Sequence, residues 1–270
     1  MDFYGELEIA LFSADINTKE LIVDRAIEYC LKNSIEGANF TPKIQEEPSY
    51  SQICKIVTPK ELPKRKDFRE NDGLIALVHS IAHIEFSAID LAIDAVYRFP
   101  KMPQQYRLDW LIVAQDEIRH FKMLQDILKK LNSNYGDLSV HKGLFEVSYK
   151  TKHSIIERMA VVPRYFEASG LDVNPKIIEK LQNFKANPIV QELISALNTI
   201  YIEEIDHVKK GDTWFKYLCN IEKCEYEDRY IEIINKYKLN KRVANFDIDG
   251  RKKAGFSCKE LISLGAKECS

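Results

Sequence analysis

Glu117-Ile118-Arg119-His120 and Glu204-Ile205-Asp206-His207 each set a carboxylate and an imidazole three residues apart. A helix advances about 100° per residue, so positions three apart share a face and both side chains can reach the same ion. Bundles that hold two metal ions use this spacing. They take a Glu from each of two helices and a Glu-x-x-His from each of the other two, all projecting inward.

Both motifs interrupt faces that otherwise read as core. Glu117 lies between Ala114 and Phe121, and His120 is one turn before Leu124. Leu193, Leu197 and Ile200 lead to Glu204 and His207, after which the stripe resumes at Gly211 and Trp214. A buried ionised group is costly unless it is paired or bound to a metal, so two inward pairs imply a cation between them. Glu85 is a further lone acid in an apolar stripe, among Val78, Ile81, Ile89, Ala92 and Val96. It lies about as far before the Pro100–Pro103 turn as Glu117 lies after it, so a helical hairpin brings the two level. Two acids compete for the remaining place, Glu157 and Glu167. Hairpin geometry favours Glu157, because Glu167 stands one turn from Gly170.

The elements that must carry these residues are helical, since apolar residues recur at helical spacing and strand patterns are nearly absent. A first helix is expected over about Lys19 to Lys32, capped by Thr18, followed by a proline- and lysine-rich extended arm from Thr41 to Lys66. Long helices are expected over about Gly73 to Phe99, Gln104 to Leu131, Phe145 to Ser169 (ended by Gly170) and Pro188 to Cys219. A small helix over about Pro175 to Lys185 precedes the last. The tail reads as a helix over Glu225 to Tyr237, an extended basic segment, and a short helix near Ser257 to Leu264. The expected fold class is all-α, a four-helix bundle over 73–220 with a helical and extended arm at 1–72 and a helical tail at 221–270.

A chain of 270 residues, 45% hydrophobic and 30% charged, can build its core without a structural metal or disulfide. Its net charge of -2 offers no global basic field for nucleic acid. The basic runs Lys60 to Arg69 and Arg251-Lys252-Lys253 lack interleaved stacking aromatics and read as solvated surface. The acidic start, Met1-Asp2-Phe3-Tyr4-Gly5-Glu6, does not resemble a secretory leader, and no apolar run approaches the ~20 residues of a membrane span. Six scattered cysteines without a C-x-x-C pair suggest reduced thiols and a cytoplasmic protein. Cys219 and Cys224 are close enough in sequence to pair, though no second ligand pair accompanies them.

Several segments resemble a bacterial domain-of-unknown-function family placed in the ferritin-like superfamily. They are LVHSIAHIEFSAIDLAIDAVYRF ending at Phe99, DEIRHF (Asp116 to Phe121), YGDLSVHKGLF, RMAVVPRYFEASGLDV and EEIDHVKKGDTWF, with LPKRKDF and DGRKKAGFSCKEL on the flanks. The resemblance covers about Thr58 to Leu264. It implies a ferritin-like bundle and the ligand set Glu85, Glu117, His120, Glu167, Glu204 and His207. The acid followed by Ala in FEASGLD is similar to that of tRNA-modifying di-iron hydroxylases, which favours Glu167 and keeps Glu157 in reserve.

Four carboxylates and two neutral imidazoles carry a charge of about -4, which balances two divalent ions, and oxygen-rich ligation suits iron, with manganese as the alternative. The expected function is an O2-activating oxidase or hydroxylase of unidentified substrate; the alternative is an iron-storing protein of the ferritin type. A homo-oligomer is compatible with either. Around the site, Asp116 and Asp206 are candidates to orient histidines. Tyr201 shares the inner face as core packing, as a hydrogen-bond donor or as a radical site. His79 lies on the same helix as Glu85, and His83, two positions from that acid, is expected to point elsewhere; His153, four before Glu157, is expected in a surface or capping role or in an alternative site with that acid, and Arg164 is expected to pair with a carboxylate or an anionic substrate.

Overall fold

The computed structural model describes residues 1–37, 39–62, 67–239 and 246–269. Periodic apolar residues fold as helix along most of them. Among the described residues no strand forms, and an isolated parallel bridge joins Ile56 to Val140. The all-α expectation therefore holds. The chain divides into two compact units, Met1–Glu146 with Phe184–Ala196, and Val147–Asn183 with Leu197–Ser270.

The first unit is built on α1 (Phe3–Phe12), α2 (Ile16–Lys32), α3 (Asn71–Arg98) and α4 (Gln104–Lys130). Helix α1 was not expected from the sequence. Asp2 caps it by accepting from the Gly5 amide, and Phe3, Tyr4, Leu7, Ala10 and Leu11 bury one face. Helix α2 starts earlier than Thr18, because Asp15 takes the capping role and accepts from the amides of Asn17 and Thr18. The arm contains short 3₁₀ turns at Ser49–Gln52 and Pro59–Glu61; residues 63–66, within the basic run Lys60 to Arg69, lie outside the described residues. Lys19 ties α2 to α3 from a fully buried position. Its ammonium donates to Asp90 at 2.5 Å and to the Ala10 carbonyl at 2.7 Å, while Ser49 of the arm donates to the other Asp90 oxygen at 2.6 Å.

Helices α3 and α4 pack against each other, joined by the short turn that Pro100 and Pro103 enforce. By length and composition α3 could cross a membrane, a property the run-length reading did not credit to it. Yet 78% of its most apolar stretch is buried in protein, as befits a core helix.

Helices α5 (Gly143–Lys150) and α8 (Pro188–Glu222) each begin in the first unit and run on into the second. The second unit adds α6 (Ile155–Val161), a π-helical turn over Val162–Glu167, α7 (Ala168–Gln182), α9 (Tyr226–Lys236), α10 (Ile248–Lys253) and α11 (Cys258–Leu264). The single third helix expected over Phe145 to Ser169 is thus corrected to α5 and, after a break, an unbroken helical run through α6, the π turn and α7. Ser154 starts α6, and Pro163, which lacks an N–H and crowds the preceding turn, coincides with the widened π turn. Gly170 does not stop the helix. It keeps a helical conformation rather than the left-handed one a stop requires, and α7 continues through Pro175. The small separate helix expected from Pro175 is the end of α7.

The tail departs from expectation in two further ways. Helix α10 occupies part of the segment read as extended; residues 240–245 of that segment lie outside the described residues. Cys258 and Cys269 are disulfide-bonded, against the expectation that every thiol is reduced. The chain reverses at Gly265, whose φ of +112° favours glycine, and this brings the two Cα atoms to 5.5 Å. Cys30, Cys54, Cys219 and Cys224 are free thiols.

Candidate metal centre

The α3–α4 hairpin brings Glu85 level with Glu117 and His120, as the symmetric spacing about its turn requires. Nδ1 of His120 lies 3.3 Å from a carboxylate oxygen of each acid. Each of the three side chains offers a ligand atom within 4.8 Å of the others. All three are buried, and Glu117 and His120 are fully shielded from solvent. Burial and then the neighbouring charge of Glu117 push the Glu85 carboxyl up to about 8. Burial disfavours charge on His120 too, but hydrogen bonds to Glu117 and Glu85 outweigh it and push the imidazole up to about 12. Two acids thus share one buried place and draw positive charge to it, which is the requirement a divalent cation meets. The donor set of two oxygens and a nitrogen fits a hard or borderline metal ion.

The second Glu-x-x-His lies in the second unit, on α8. His207 is fully buried and its Nδ1 is 3.9 Å from Glu204, whose side chain is 12% exposed. Leu193, Leu197, Ile200, His207, Gly211 and Trp214, the residues of the stripe read from the sequence, are among the buried residues of α8, and Glu204 is half-buried. Glu167 ends the π-helical turn and is half-buried. Its rival Glu157 is engaged elsewhere, accepting from Lys236 Nζ and from the Tyr237 hydroxyl, each at 2.5 Å. Burial works against its charge, but those two bonds win and hold its carboxyl below the usual range.

The surrounding candidates resolve into structural roles. Asp116 pairs with Arg119 and Asp206 with Lys210, each pair joining an exposed side chain to a half-buried one. His153 is exposed and pairs with Glu157 one turn on. His83 bonds the Tyr135 hydroxyl at 3.0 Å and the His141 carbonyl at 2.8 Å, while His79 accepts from the Gly136 amide at 3.0 Å. Tyr201 donates to Asp247 at 2.5 Å, and burial, with that bond, pushes its phenol up to about 12. Arg164 meets Glu260 at 2.8 Å and Asp212 at 2.9 Å, packed against the rings of Phe215, Tyr230 and Phe256. It is a core ion cluster of the second unit, and the carboxylate pairing considered for it is the one found.

Two pairings escaped the sequence reading. Lys19–Asp90 and Arg251–Asp172 are both buried, the latter bidentate at 3.0 and 2.7 Å. The lone acids Asp90 and Asp172 in apolar surroundings were the available signal, but their partners come from distant segments that no local spacing connects.

The family described as protein of unknown function (DUF455) matches residues 12–262. The chain belongs to that family. This DUF455 chain is also similar to an uncharacterised protein of Haemophilus influenzae, 38% identical, with 96% of this chain and 92% of the relative covered. No solved structure matches it. Since the DUF455 description specifies no reaction, function must be argued from the buried acids and imidazoles.

Proposed function

We propose that this protein is a di-iron carboxylate protein of the ferritin-like class, acting as an O2-dependent oxidase or hydroxylase on a substrate not yet identified. The observation that carries the reading is the buried Glu85–Glu117–His120 group, where two acids and an imidazole converge on one place. Two carboxylates and an imidazole whose ligand atoms lie this close are a donor set that a metal ion takes.

In this proposal Glu204 and His207 supply the second Glu-x-x-His, on the strength of its repeated spacing and inward stripe. Glu167 supplies the remaining carboxylate, supported by the engagement of Glu157 with Lys236 and Tyr237. Glu85 and Glu117 hold the ions by charge, and His120 and His207 add nitrogen donors that favour iron over magnesium or calcium. When bound there, two ferrous ions would supply two electrons to O2. The protein's own part is to keep these donors buried, so that oxidising equivalents meet substrate instead of water.

Anaerobic titration with Fe(II), followed by O2 exposure under optical and oxygen-electrode monitoring, tests the reading. The expected result is binding that saturates at about two ions per chain and O2 uptake that follows it. Absence of binding would overturn the proposal, and uptake of hundreds of irons per particle would replace it with storage.

A further inference from the structure

Helix α8 ends in a turn that places two free cysteines against each other. The Cys224 amide donates to the Cys219 carbonyl at 3.0 Å, and Lys223 between them is left-handed at φ 56°. This is the Schellman ending, in which the second residue beyond the helix folds back onto the one five positions earlier, a closure commonly accompanied by contact between their side chains. Here both side chains are thiols. The Cys224 sulfur points back at the Cys219 carbonyl at 3.7 Å, beside the Cys219 side chain. The usual occupants of such a contact are apolar, and neither a metal nor another ligand pair is needed to account for the fold of the turn.

The backbone closure and the Cys224 sulfur folded back onto Cys219 bring the two residues beside each other. The two thiols also differ in access: Cys219 is 1% exposed, while Cys224 is half-buried at the surface. Burial and the neighbouring thiol push Cys219 up to about 12, so its thiol is a poor first nucleophile.

We propose that Cys219 and Cys224 form a redox dithiol, oxidised to a disulfide by exchange with a low-molecular-weight disulfide. Cys224 opens the exchange: its thiolate attacks one sulfur of the external disulfide, forming a mixed disulfide and releasing one thiol. Cys219 then gives up its proton to solvent and attacks the Cys224 sulfur, closing the internal disulfide and releasing the second thiol. Two protein thiols are oxidised and one external disulfide is reduced to two thiols. The pair differs from Cys258 and Cys269, which are already joined and lie on another element.

The test uses the full chain treated with oxidised glutathione, blocked with N-ethylmaleimide and digested with trypsin without reduction. Cleavage after Lys223 separates Tyr217–Lys223 from Cys224–Arg229, so an internal disulfide appears as those two peptides linked. The expected result is that linked pair, with Cys30 and Cys54 still carrying the blocking group. In Cys219→Ser the reaction should stop at glutathione attached to Cys224, and in Cys224→Ser residue 219 should remain a free thiol. A chain in which Cys224 retains glutathione while Cys219 stays free, or in which Cys219 and Cys224 resist oxidation as Cys30 and Cys54 do, would overturn the proposal. Circular dichroism of both variants separates misfolding from loss of exchange.

Discussion

Replacing Arg164 by Met removes the cation from a fully buried cluster and leaves Asp212 and Glu260 behind. Breaking a buried pair by deleting one partner costs about 3–5 kcal/mol, because the remaining charge stays in a poorly solvating place. Two features of the second unit moderate the loss. Lys216 still donates to Asp212 at 2.7 Å, and Glu260 still accepts from the Ser257 amide at 2.9 Å. Against this, the guanidinium sits over three rings, at 4.2 Å from Tyr230 and 4.7 to 4.8 Å from Phe256 and Phe215, contacts that a thioether replaces only in part. The expected destabilisation is therefore roughly 3 kcal/mol, a large share of the 5–15 kcal/mol typical of a domain. Urea unfolding followed by circular dichroism reads it as a lower midpoint with an unchanged slope. A loss below about 1 kcal/mol would refute the reasoning, since it would mean that the two acids find solvent or a proton without cost.

Other consequences follow from named groups. Burial holds His79 down at about 4 against an ordinary 6.5, so the unfolded chain binds the proton more readily between those values. Its contribution is complete above pH 6.5 and is lost as pH falls toward 4, amounting to at most about 3 kcal/mol. Stability measured from pH 7 to 4 should decline less steeply in His79→Gln than in the parent chain; equal slopes would contradict this. Glu157→Gln should leave bound metal unchanged while lowering stability modestly through its bonds to Lys236 and Tyr237. Glu167→Ala should do the reverse, and elemental analysis beside thermal melts distinguishes the two patterns.

Most of the long elements and the grouping of Glu85 with Glu117 and His120 could be read because their causes are local. Prolines at 100 and 103 fix the α3–α4 turn, and equal spacing about that turn brings Glu85 to Glu117 and His120. What could not be read depends on partners remote in sequence. Glu157 looked well placed by hairpin counting, but the third helix is broken at Lys150 and widened at Pro163, so the count lost its meaning. The engagement of Glu157 depends on Lys236 and Tyr237, almost eighty positions away. Gly170 misled because glycine ends a helix only when it turns left-handed, and nothing in its neighbours reports that choice. The Cys258–Cys269 bond was hidden for the same reason in reverse, since the left-handed turn at Gly265 creates the approach.

Elemental analysis of the chain purified without oxygen addresses the metal-binding claim most directly. The account predicts iron, or manganese, at about two ions per chain, falling to near zero in folded Glu117→Ala and in folded His207→Ala. A purified chain without stoichiometric metal, or variants that retain it in full, would contradict the account.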